Sequence, residues 1–308
     1  MRKVWVWLLL LSSMACAAPV LALQTVLVVL SDNTAPYRAV LQALDSGLLP
    51  PLYAIRVVSA QAVDGAVEQA SRPDLVITLG VQAAESVDRL PAHVPVLAAL
   101  VPRDWYAAGG QAFLSKRRDV TVLFIDQPLR RQLRLIREVL PQARVVGVVV
   151  SQQRAWLLPQ LQSEARSFGL TLNAAVVGPQ LGLVAALDKT LADSDVLLAL
   201  PDPDVFNSAT AQTVFLTTYR YREPVVGYSA SMTKAGALVS VYSTPAQIGE
   251  QTAELAARIL AADGKALPPQ FPADYSVAVN EYVARSLGIQ LPPQDAMKKS
   301  LAEEPFND

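Results

Sequence analysis

The stretch Leu75-Val76-Ile77-Thr78-Leu79-Gly80-Val81-Gln82-Ala83-Ala84 decides the fold. Its first five residues are branched and mostly apolar without period-2 alternation, as suits a strand buried on both faces. Gly80 breaks the run, and a helical stretch is read at Ala83–Leu90. The same phrase recurs at Thr25–Leu30, Ala54–Val58 and Val96–Leu100. A second array follows at Val145–Val150, Thr171–Val177, Val196–Leu200 and Val225–Tyr228. Strands spaced by helix-length segments imply parallel βαβ units, so the class is α/β with parallel sheets. Two arrays imply two lobes with a cleft between them.

Three further apolar runs, Val120–Ile125, Ala237–Tyr242 and Tyr275–Val279, are read as crossovers between the lobes. Lobe 1 is then expected over 23–122 plus 244–274, and lobe 2 over 123–243 plus 275–292. A flexible tail is expected at 293–308. Helices are expected from Pro36 to Gly47, over Gln61–Ala70, and after Asp126, which is read as a cap with Pro128 in the first turn. Ile248, Thr252, Leu255, Ala256, Ile259 and Leu260 recur at helical spacing and predict a helix packed on lobe 1.

With 308 residues, 52% hydrophobic and 17% charged, the chain has material for two ordinary cores. The formal net charge is −1. No nucleic-acid footprint follows from that balance. Arg130, Arg131, Arg134 and Arg137 form the one basic cluster, opposite Leu129, Leu133, Ile136 and Leu140. It is read as a solvated helix face.

Arg2-Lys3, an apolar stretch through Leu11, and small residues around Ala15–Ala22 follow the order of a secretory signal. Val20-Leu21-Ala22 fits a cleavage site after Ala22, and the expected location is the periplasm. The alternative is a lipoprotein acylated at Cys16, the only cysteine. Without it the mature chain has no thiol, no disulfide and no cysteine metal ligand.

Chemistry-bearing motifs are sparse. His93 is the only histidine and lies in a Pro-flanked turn. Gly227-Tyr228-Ser229-Ala230-Ser231 resembles a nucleophile elbow, but its fifth residue is Ser231 and no histidine follows it. No phosphate-binding loop or dinucleotide fingerprint is present, so no cofactor is expected. Asp202-Pro203-Asp204 lacks the further oxygen ligands a hard cation needs. The chain is read as a binding protein and not an enzyme.

In open α/β sheets, ligands bind just outside the carboxyl ends of the strands. Here those ends carry Ser31 and Asn33, then Gly80, Val81 and Gln82, then Asp104 in lobe 1. In lobe 2 they carry Asp202, Asn207, Tyr228, Ser229 and Ser231. Gly80–Gln82 either offers free N–H groups to an anion or only permits a tight turn. Asp202 either meets a ligand ammonium or shapes a turn with Pro203.

Leu200-Pro201-Asp202-Pro203-Asp204-Val205-Phe206-Asn207, Arg222-Glu223-Pro224-Val225-Val226-Gly227-Tyr228-Ser229, Lys234-Ala235-Gly236-Ala237-Leu238 and Val279-Asn280-Glu281-Tyr282-Val283 resemble an ABC-transporter substrate-binding family. Thr78–Ala84 matches its first-lobe loop. Its members include tryptophan- and tyrosine-binding proteins. The resemblance implies a type I periplasmic binding protein, with two flavodoxin-like lobes, three crossovers and closure on a small ligand. It also implies an ABC-transporter permease as partner. Two ligand-side loops depart from the family pattern. A Ser-Asp-Pro-Val-like turn is replaced by Val101-Pro102-Arg103-Asp104-Trp105, and an Asn-Pro by Ser151-Gln152.

The expected function is an exported, monomeric solute-binding protein that captures an amino acid or similar small polar molecule. An orphan periplasmic sensor or interaction subunit with the same fold is the second reading. A hydrolase using Ser229 or Asp202 is the third.

Overall fold

The computed structural model describes residues 23–49, 52–63, 72–90, 93–114, 116 and 119–302. The signal sequence with Cys16 and its cleavage site, most of the helix expected at Gln61–Ala70, and residues 303–308 lie outside the described residues.

The branched runs form two sheets. The first has the order β2-β1-β3-β4-β5, all parallel, from Gln24–Leu30 (β1), Tyr53–Ser59 (β2), Leu75–Leu79 (β3), Val96–Val101 (β4) and Val120–Phe124 (β5). The second has the order β11-β10-β9-β8-β6-β7, from Val145–Ser151 (β6), Thr171–Val177 (β7), Val196–Leu198 (β8), Val225–Gly227 (β9), Val239–Tyr242 (β10) and Ser276–Val279 (β11). Both sheets repeat the flavodoxin-like order 2-1-3-4-5. The second adds β11, antiparallel to β10. β3 is buried along all five residues, in keeping with helices on both faces of its sheet.

The runs expected to cross between lobes lie within one sheet or the other. The chain crosses beside them, at 125–128, 243–244 and 271–275. Each lobe is completed by chain from beyond a crossing. Helix Pro245–Ala261, started by a Thr244/Gln247 capping box, adds Ile248, Leu255 and Ile259 to the core of the first sheet. Its Gly249 is required by close approach, since a Cβ there would stand 2.4 Å from the Val40 carbonyl oxygen. Helix Leu129–Val139 adds Leu129, Leu133 and Ile136 to the core of the second.

Two expectations are corrected here. The segment expected as a tail from 293 forms helix Gln294–Ala302, whose Met297 and Leu301 are fully buried in the lobe 2 core. Two apolar side chains one turn apart suffice to seat an otherwise polar helix. The arginine cluster is not a solvated face. Arg131 is buried, donates to Gln127 Oε1 (2.6 Å) and the Pro272 carbonyl (2.9 Å), and lies over the Tyr275 ring. Arg130 pairs with Glu164, and Arg137 donates to the Ala143 carbonyl. Long arginine stems allow this burial while the guanidinium finds partners.

The crossings are tied to one another. Gln127 Nε2 donates to Ser243 Oγ (2.8 Å), and Ser243 Oγ donates to the Asp274 carbonyl. With Arg131 bound to Gln127 and Pro272, the three passages are cross-braced.

Candidate ligand site between the lobes

In each lobe, the loop after the first strand is fastened to the loop after the third, where the strand order reverses. In lobe 1 the fastening is neutral. Ser31 Oγ accepts from Ala83 N–H (2.8 Å), and Ser31 N–H donates to the Leu79 carbonyl (3.0 Å). Gly80 has φ +89°, and a Cβ there would meet Ser31 Oγ and the Tyr37 hydroxyl at 2.7 Å. Only glycine fits that turn without strain or clash. The Tyr37 hydroxyl is pushed above its ordinary pKa by burial and then by Asp32. Val81 and Gln82 open a helix of five residues, with Gln82 exposed to solvent. Asn33 is exposed and offers its carbonyl to Arg38.

In lobe 2 the fastening is ionic. Asp202 is wholly buried. Its Oδ2 accepts from Ser151 N–H (2.7 Å), and its Oδ1 from Arg154 Nη1 (3.0 Å) and Asp204 N–H (3.1 Å). These donors already occupy the carboxylate expected to meet a ligand ammonium. Asn207 holds its own turn, accepting from Ala209 and Thr210 N–H and donating to the Pro203 carbonyl. Tyr228 donates to the Phe206 carbonyl (3.3 Å). Ser229 Oγ caps helix Ala230–Ala235 by accepting from Met232 N–H, and Ser231 is exposed in that helix's first turn. His93 precedes β4, so it lies at the opposite end of its sheet from these loops. The elbow-like motif thus has its hydroxyl engaged in a cap and no imidazole beside it.

The two sets of loops meet. Arg154, on the turn after β6, pairs through Nη1 with Asp202 and through Nη2 with Asp104, which follows β4 in the other lobe. Beside it, Arg103 Nη2 donates to Gln160 Oε1 of lobe 2 (2.9 Å). Asp126 does not cap the next helix. Its carboxylate instead accepts from Arg103 N–H (2.6 Å), while Pro128 occupies the cap position. Burial pushes the Asp126 carboxyl up to about 6, the Arg103 N–H opposes that, and Asp104 adds to it. Arg103, Asp104, Asp126, Gln132, Arg154 and Leu200 border a space of about 40 Å³. That is room for a few waters.

Of the residues singled out from sequence, Ser31 and Gly80 come together in lobe 1. Asp104 and Asp202 converge on Arg154 from opposite lobes. Sequence reasoning did not single out Arg154, Arg103 or Tyr37 as site residues, and it read Asp126 only as a helix cap. Arg154 stands three residues past the end of β6, but its partners lie 48 and 50 residues away, and no local pattern links them. No group of three or more His, Cys, Asp or Glu side chains suited to a metal occurs among the described residues.

The fold has close relatives in shape. A ligand-free, open substrate binding protein with adhesive properties from Clostridium difficile aligns with a TM-score of 0.72 and 16% identity, covering 89% of this chain and 97% of that one. A conserved domain protein from Vibrio cholerae aligns at 0.61 and 22%, covering 90% and 98%. An ABC domain in complex with L-Trp from Streptococcus pneumoniae aligns at 0.60 and 18%, covering 91% and 98%. No curated protein matches the chain by sequence. At these identities the structures show a shared fold. The model of the family described as ABC transporter substrate binding protein matches residues 60–302, well over half of the chain, and this chain therefore belongs to that family.

Proposed function

We propose that this chain is an exported solute-binding protein that holds a small polar molecule, such as an amino acid, between its lobes for an ABC-transporter permease. It works as a monomer in the periplasm after cleavage behind Ala22. One observation carries the reading: loops from the carboxyl ends of both sheets face each other, with Asp104 and Arg103 of one lobe against Arg154 and Gln160 of the other. That is where open α/β sheets take ligands. Ser31, Asn33 and Gly80–Gln82 would form the lobe 1 wall. Asn207, Tyr228, Ser229 and Ser231 would line lobe 2, with Asp202 holding Arg154 from behind. The braced passages at 125–128, 243–244 and 271–275 supply a hinge about which the lobes close.

A thermal-shift screen of amino acids, sugars, nucleosides and small anions tests this. A solute at about a hundred times its dissociation constant raises stability by about 2.7 kcal/mol. If no solute shifts the melting temperature, or if the shift survives substitution on both walls, the cleft is not a solute site.

A further inference from the structure

Arg154 is held by its own lobe and presented to the other. Asp202 is 0% exposed, is fixed by the Ser151 and Asp204 N–H groups, and takes one arm of the guanidinium. The side chain of Arg154 is itself only 12% exposed. Its second arm points across the interlobe space to Asp104, whose side chain is 26% exposed. A guanidinium with one arm anchored on a buried carboxylate and the other turned toward a cleft matches a planar anion in geometry and charge. While Asp104 holds that arm, the arm is not free for a ligand anion. A ligand anion and Asp104 therefore exclude each other at this point.

We propose that Arg154 is the anion-binding residue of the cleft, taking a carboxylate or a similar planar anion, and that Asp104 is its built-in competitor from the opposite lobe. Asp202 is a positioning residue that fixes the guanidinium and leaves one arm for the anion. The inference rests on the solute-cleft reading and adds the charge class of the ligand. It places the anion on lobe 2 and leaves Gly80–Gln82 as a neutral wall.

The test needs no identified solute. Acetate is the probe and acetamide at equal ionic strength the control. Melting temperatures are followed in the wild type, in Asp104→Ala, and in Asp104→Ala with Arg154→Lys, which keeps a cation for Asp202 but loses the forked geometry. Interlobe distances are followed in the same backgrounds with spin labels at Asp45→Cys and Ser163→Cys and with Cys16→Ser. Asp104→Ala should lose the short-distance population of the wild type. It should also gain an upward melting shift specific to acetate, larger than that of the wild type and lost in the Arg154→Lys double variant. The inference fails if acetate and acetamide act alike on Asp104→Ala, or if the distances do not change. A solute found by the screen whose binding is unaffected by Arg154→Lys would overturn this inference and leave the solute-cleft reading standing.

Discussion

The two lobes repeat one topology and fasten its key point with opposite chemistry. Lobe 1 uses a serine hydroxyl, a glycine with φ +89° and a tyrosine hydroxyl. Lobe 2 uses a buried carboxylate satisfied by two backbone N–H groups and an arginine. The neutral tie needs only a residue small enough to let the loops touch. The ionic tie commits a charge to the interior, and a buried charge must be matched or it destabilises the fold. The matching arginine then has an arm to spare for the other lobe. The difference teaches that the fold requires contact between these two loops but does not dictate how it is made.

Removing each tie should expose this contrast most strongly. Asp202→Ala strands two N–H groups and the inner arm of Arg154, and should cost about 3–5 kcal/mol of unfolding free energy in denaturant. Ser31→Ala, the matched change in lobe 1, removes one neutral hydrogen bond and should cost about 1 kcal/mol. Equal losses would mean that the two fastenings are energetically alike and the comparison is empty.

Gly80→Val probes the lobe 1 tie from the side of shape. The added side chain would sit 2.7 Å from Ser31 Oγ and the Tyr37 hydroxyl on a backbone that disfavours it. A loss of about 2–3 kcal/mol is expected, between the two changes above. Of the two readings the sequence left open at Gly80, this outcome would support the tight turn, because a bulky residue there should harm the lobe itself. A variant as stable as the wild type in thermal melts would show that the turn has another conformation available.

The smallest expected effect lies in lobe 2, at the amino-terminal end of its sheet. The Glu223 carboxyl is pushed up to about 7, mainly by burial and further by Asp195, and one of its oxygens has no partner. A raised folded-state value for an acid favours the neutral form in the fold. Stability is therefore fully present below the ordinary value of 4.5 and is lost as pH rises through about 7. Glu223 is half-buried, so solvent screening reduces the effect to about 1 kcal/mol. Glu223→Gln should remove this loss, making the variant more stable at pH 8 and equal to the wild type at pH 4. Parallel stability curves across that range would place the group in water.

How much was legible in the sequence follows from the range of each interaction. The β3 run, the Gly80 break and the second array at Val145–Val150 report local burial, and a strand covered on both faces writes its own composition. Strand Thr171–Val177 falls where the residue pattern places it. The site was legible only as loops at strand ends. Asp104 stood out there, on one of the two loops that depart from the family pattern. Its partner Arg154 did not, since an arginine in a polar loop carries no sign of where its guanidinium lands. For Asp202 the sequence offered either a ligand contact or a turn with Pro203, and could not show that the carboxylate is buried behind Arg154 while accepting from Asp204 N–H.

By itself, then, the sequence determined that this protein has two α/β arrays with parallel strands, because periodicity and burial act over a few residues. Tertiary structure alone decided that Met297 and Leu301 seat the last helix, that Arg131 ties two of the crossings together, and that Arg154 joins Asp202 to Asp104. Each of these depends on groups far apart in the chain that meet only when both lobes are built, and the interior then requires every buried charge to have its partner.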